Sequence, residues 1–116
     1  SRLIDVLKEK HILALLFDQH AHTYAETIDF FGHPAQTHKT IALLHLVTKT
    51  PVCYAECIQT GPRQFEISAS PLIRHEPTGN KREDVRTILK LLNQMLETSI
   101  RKAPEQYLWA HRRWRD

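Results

Sequence analysis

The six apolar residues Ile12 to Phe17 run without a break into Asp18-Gln19-His20, and this stretch constrains the chain more than any other. A short apolar run closed by polar residues has the pattern of a strand buried on both faces, as in a parallel sheet. Such a strand needs layers above and below it. Just upstream, Leu3, Ile4 and Leu7 fall at helical spacing, with Asp5, Lys8 and Glu9 on the other side. A helix feeding a buried strand is half of an α/β unit. Asp18 then stands at the carboxyl end of the strand, where open α/β sheets gather ligands. The competing reading is an Asp that hydrogen-bonds its own loop.

The loop from Asp18 to His33 is long for a connection, and its Tyr24, Ile28, Phe30 and Phe31 suggest that it is packed. His20 and His22 lack a Cys or carboxylate at zinc-site spacing, so no metal or other cofactor is expected. Pro34 is placed to start a helix that runs to Thr48 and ends before Pro51. His38 and His45, seven apart, would then share a face as ordinary surface or interface histidines. Val52 to Ile58 reads as a second central strand, in which Glu56 needs a partner such as Arg63 or Arg74. After the turn at Thr60-Gly61-Pro62, Gln64 to Ser70 alternates, with Phe65, Ile67 and Ala69 expected inward and the strand antiparallel to its predecessor.

A long helix should begin near Asn80, where Asn80 and Glu83 have capping-box spacing. Val85, Ile88, Leu89, Leu92, Leu96 and Ile100 give it one apolar stripe. Pro104-Glu105-Gln106 has the makings of a short final helix. The fold class is therefore α/β, a mixed sheet flanked by helices. Cys53 and Cys57, four apart in a strand, would lie about 13 Å apart at the strand rise, too far for a disulfide. Two buried free thiols in a reducing compartment are expected. No apolar run reaches the roughly 20 residues of a membrane span.

The net charge of +3 is uneven, because His111-Arg112-Arg113-Trp114-Arg115 is strongly basic. That end suits phosphate groups on a nucleic acid, a lipid headgroup or a carrier protein's cofactor. One reading of the whole is thus a small basic α/β nucleic-acid-binding or partner-binding module, with bases stacked on Trp109 or Trp114. Against it, the aromatics are not interleaved with Lys and Arg across a sheet face.

Three pieces stand in order: Phe17-Asp18-Gln19, then Phe30-Phe31-Gly32 with Thr37, then Pro104-Glu105-Gln106-Tyr107-Leu108-Trp109-Ala110-His111-Arg112-Arg113-Trp114. Together they resemble the C-terminal half of the lipid A biosynthesis acyltransferases, the late lauroyl and myristoyl transferases of Gram-negative bacteria. The last piece is the most specific. Lys8-Glu9-Lys10-His11 departs from the pattern, since family members often have a glycine turn there.

The resemblance implies part of a glycerolipid-acyltransferase-like domain, with residues 1–116 its C-terminal part. It implies an enzyme at the cytoplasmic face of the inner membrane, working at the membrane surface without a cofactor. Acyl carrier protein and the lipid A precursor would be its partners, and nucleic acid would not. The family's catalytic pair is a His and an acid in an H-x4-D/E motif upstream of the DQ. No such motif lies between Leu3 and Phe17, so the chain is expected to be an inactive fragment that lacks the catalytic half and the membrane anchor. His111 to Asp116 matches H-x4-D in letters but falls inside the terminal HRR motif. Carried over, Asp18 supports the site, and Gln19, Gly32, Thr37, His111, Arg112 and Arg113 bind substrate, with Thr37 at a helix N-terminus suited to an anion. Apolar surface left without its other half would favour self-association, most simply as a symmetric dimer.

Overall fold

The computed structural model describes residues 2–9, 12, 13, 15 and 25–106. Its elements are α1 (Arg2–Lys8), β1 (Ala25–Phe30), β2 (His33–His38), α2 (Thr40–Thr48), β3 (Ala55–Gly61), β4 (Gln64–Ala69), α3 (Lys81–Lys102) and a 3-10 turn at Pro104–Gln106. The class is α/β. Among the described residues the strands form two antiparallel pairs, β1–β2 and β3–β4, rather than one mixed sheet.

Helix α3 is the spine. All six residues of its expected stripe are buried. Val85, Ile88, Leu89 and Leu92 pack with Ile28, Ala42 and Val52, while Leu96 and Ile100 pack with Phe30 and Ala35. Asn80 caps the helix, its Oδ1 accepting from the Glu83 N–H at 3.2 Å. The return arm of a capping box is replaced, because the Asn80 N–H donates to Thr78 Oγ1 at 3.3 Å.

Several expectations change. Ile12, Leu13 and Leu15 lie in no strand, and Ile12 is 96% exposed. Ala14, Leu16 and Phe17 lie outside the described residues. Pro34 starts no helix; it sits in β2 opposite Asp29. A two-stranded ribbon has free edges, where proline's missing N–H is tolerated. The second strand begins at Ala55, not Val52, which instead forms an isolated bridge with Ile73.

The hairpin β3–β4 has the expected antiparallel pairing but not the expected burial, since every residue of β4 is exposed. Phe65 and Ile67 are 63% and 77% exposed, and Cys57, paired with Ile67, is exposed beside them. Cys53 is also exposed, so neither thiol is buried. The alternate face, with Glu56 and Ser68, turns toward α3. Alternation defines two faces but not which of them meets a neighbour. Among the described residues no helix is long and apolar enough to cross a membrane.

A polar chain ties the start of α3 to the end of α2. The buried Asp84 carboxylate accepts from His75 Nε2 at 2.8 Å and from the Thr78 hydroxyl at 2.9 Å. The His75 N–H in turn donates to His45 Nε2 at 3.0 Å. His45 must then carry its proton on Nδ1, which donates to the Thr50 carbonyl at 2.6 Å. His45 is thus a buried joint, and His38 lies on β2 rather than on its helix.

The His75 hydrogen bond, helped by Thr78, outweighs burial and holds the Asp84 carboxyl below its ordinary 3.8. Burial pushes Glu26 up, but Arg82 at 3.3 Å and Arg86 at 2.9 Å outweigh it and hold Glu26 below 4.5. Acids with depressed folded pKa values stabilise the fold above their unfolded values and lose that contribution as pH falls. Unfolding midpoints in urea are therefore expected to fall from about pH 4.5 downward. In Asp84→Asn the midpoint should be lower at neutral pH and its acid slope shallower. An unchanged acid slope would show that Asp84 is not one of the groups responsible.

Candidate functional site

The Phe30-Phe31-Gly32 motif forms the turn between β1 and β2. Phe30 pairs with His33, leaving Phe31 and Gly32 as a two-residue loop. Their φ values are 52° and 79°, both positive, as a type I′ hairpin turn requires. Glycine suits such a position; phenylalanine is uncommon there. Phe31 is held from outside, since its N–H donates to Glu97 Oε1. Arg101 lies over its ring at 5.0 Å, within cation–π range. Glu97 and Arg101 are one helical turn apart on α3, so the last third of that helix clamps the turn.

The same third of α3 faces β3–β4 on its other side. Lys102 Nζ lies 3.6 Å from Glu56 Oε1, which also accepts from the Ser68 hydroxyl at 3.2 Å. Glu56 is thus served by Lys102 rather than by Arg63 or Arg74. The Ser99 hydroxyl beside it contributes most to holding its carboxyl below 4.5, followed by Ser68 and Lys102, against the cost of burial. Tyr54 donates its phenolic proton to Ser99 at 2.8 Å. Helix α3 then breaks at Ala103 and passes directly into a 3-10 turn at Pro104–Gln106, where the short final helix was expected to begin; its continuation lies outside the described residues. Two motifs far apart in sequence, FFG and PEQ, therefore both lie at the C-terminal end of α3. Among the described residues no group of His, Cys, Asp and Glu could hold a metal ion.

Of the expected site residues, Gly32 is exposed at the tip of the turn. Thr37 is in β2, not at a helix N-terminus, and has no exposed surface. Its hydroxyl donates to the Ala35 carbonyl at 3.2 Å and accepts from Asn93 Nδ2 at 3.3 Å. Helix α2 starts later, at Thr40, and its cap residue Lys39 makes no side-chain capping bond. Asp18, Gln19, His111, Arg112 and Arg113 lie outside the described residues, as do His20, His22, Trp109 and Trp114. The Glu97 and Arg101 clamp was missed, although its four-residue spacing at the end of an amphipathic helix was visible in the sequence.

A sequence model described as bacterial lipid A biosynthesis acyltransferase matches residues 1–116. The chain belongs to this family. No curated protein matches the chain. Membership makes the parent activity that of an acyltransferase and its substrate a lipid A precursor. It selects this reading over the nucleic-acid-binding module. In this acyltransferase family member, the turn at Phe31-Gly32 and the 3-10 turn at Pro104–Gln106 are the described parts of the sequence pieces that carry the resemblance.

Proposed function

We propose that residues 1–116 are the C-terminal part of a single acyltransferase domain that moves a fatty acyl chain from acyl carrier protein to a hydroxyl of the lipid A precursor. The work is done at the cytoplasmic face of the inner membrane. The observation that carries the reading is the family match across residues 1–116.

In this proposal the general base is a His of an H-x4-D/E pair on polypeptide N-terminal to this segment. It removes the proton of the acceptor hydroxyl as the oxygen attacks the thioester carbonyl. The C–S bond then breaks, and the thiol leaves with the proton. Asp18 orients the site from the end of its segment. Gln19, His111, Arg112 and Arg113 contact substrate, the arginines as forks for phosphate oxygens. Gly32 shapes the turn between β1 and β2. Thr37, being buried, acts through the packing of β2 on α3. The exposed apolar face of Phe65 and Ile67 supports the expectation that more protein, from the rest of the domain or from a second copy, covers this segment.

The test uses a longer polypeptide that carries an H-x4-D/E pair ahead of this segment. Incubated with acyl carrier protein thioester and lipid A precursor, it should add one acyl chain, seen as a mass increase. Equal use of free fatty acid, or no mass increase with any thioester donor, would reject the proposed reaction.

A further inference from the structure

The ring of His45 joins two backbone segments and has only one proton arrangement that satisfies both. It is 5% exposed. Its Nε2 faces the His75 backbone N–H at 3.0 Å, and its Nδ1 faces the Thr50 carbonyl at 2.6 Å. A backbone N–H only donates, and a backbone carbonyl only accepts. Nε2 must therefore be bare, and the joint holds the neutral ring in one tautomer. Neither backbone partner titrates, so neither can adjust to a change in the ring. A second proton on Nε2 would point at the His75 N–H, and the hydrogen bond between them would be lost.

Among the described residues the ring has these two partners and no carboxylate. On α3 the acid linked to the joint is Asp84, and it is occupied by the His75 ring and by Thr78. The other charged groups around the joint are exposed. They are Asp5, Lys8 and Glu9 on α1, which packs on α2; Lys49 at the end of α2; Arg74 and Glu76 beside His75; and Lys81, Arg82 and Glu83 at the start of α3. A buried imidazolium without a paired acid is costly.

His75 responds in the opposite sense. Its Nε2 lies 2.8 Å from the Asp84 carboxylate and donates to it whether the ring is neutral or charged. The charged ring makes the stronger bond. Acid therefore loosens the hold of this segment on α2 and tightens its hold on α3. The segment is also free to move without the core. Of residues 71–80 all but Ile73 and His75 are exposed. Beside the His45 bond, two backbone bonds between Val52 and Ile73 tie it to the stretch after α2. Opening a segment held so lightly costs less than global unfolding.

We propose that His45 is a proton-released latch. Uptake of a proton on its Nε2 frees residues 71–77 from α2, while the bond from His75 to Asp84 keeps their far end on α3 and the rest of the fold stands.

The full chain, labelled with 15N, is titrated from about pH 7.5 to about pH 5, the range in which histidines change charge. At the upper end the nitrogen shifts of His45 should show the Nδ1–H tautomer. As the ring takes up its second proton, the hydrogen-exchange protection factor of the His75 amide should fall about tenfold or more, while those of Leu89 and Leu92 in the buried face of α3 stay within about twofold. His45→Gln offers an oxygen to the His75 N–H and does not titrate, so protection should hold across the whole range. His75→Ala removes the ring bonded to Asp84 but keeps the backbone donor. The amide of residue 75 should then still lose protection as His45 takes up its proton, and this variant carries the test if His45→Gln fails to fold. An Nε2–H tautomer at the upper end would overturn the proposal, as would a ring that stays neutral throughout or one that gains its proton with the His75 amide still protected. So would a response that survives in folded His45→Gln or disappears in folded His75→Ala.

Discussion

Phe30→Ala is expected to lower stability by about 3–5 kcal/mol, the range for a phenylalanine removed from a packed interior. Phe30 has no exposed surface. It stands at the end of β1, packed with Ala35, Leu96 and Ile100, with the Phe31 ring centroid 4.8 Å from its own. The residue therefore joins the β1–β2 ribbon to α3 where the FFG turn is clamped. Small domains are stable by only about 5–15 kcal/mol, so the loss is a large share of the whole. Urea unfolding should show a lower midpoint with an unchanged slope. The control is Phe65→Ala, since Phe65 is 63% exposed; its change should stay within about 0.5 kcal/mol. If the two substitutions cost the same, the packing of β1–β2 on α3 is wrong.

What could be read in advance follows from how local each signal is. Helix α3 carries its apolar stripe, its Asn80 cap and its Pro104 stop within its own residues, and all three stand in the structure. The β3–β4 pairing was legible from the turn between two short runs. Its outward face was not, because the choice depends on Lys102 and Ser68 meeting Glu56. Strand β1 was hidden in the expected loop, since Ala25–Phe30 buries only Ile28 and Phe30. Proline then misled. At Pro34 its helix-starting preference lost to a hairpin turn two residues earlier, a turn that needs Phe31 held at positive φ by α3.

The candidate site was legible in a different way. Its motifs were visible as letters, but the docking of the FFG turn on the end of α3 depends on long-range contacts, such as Phe31 with Glu97 and Arg101. The link from His45 through His75 to Asp84 was invisible for the same reason, because its members come from α2, a connecting segment and α3.

The largest expected effect is on catalysis. The chain alone should transfer no acyl group, because the proposed base lies on other polypeptide, and a positioned general base is worth roughly 10²–10⁴ in rate. His111 is the residue that would defeat this expectation, since His111 to Asp116 has the letters of the catalytic motif. It is followed in sequence by Arg112, Arg113 and Arg115, and positive charge near a His disfavours the protonated form that a base must become. The direct measurement is acylation of lipid A precursor by the purified chain with acyl carrier protein thioester, read by mass. No product above the protein-free control is expected. Thioester-dependent product that disappears in His111→Ala would contradict it and place the base at the chain's basic end.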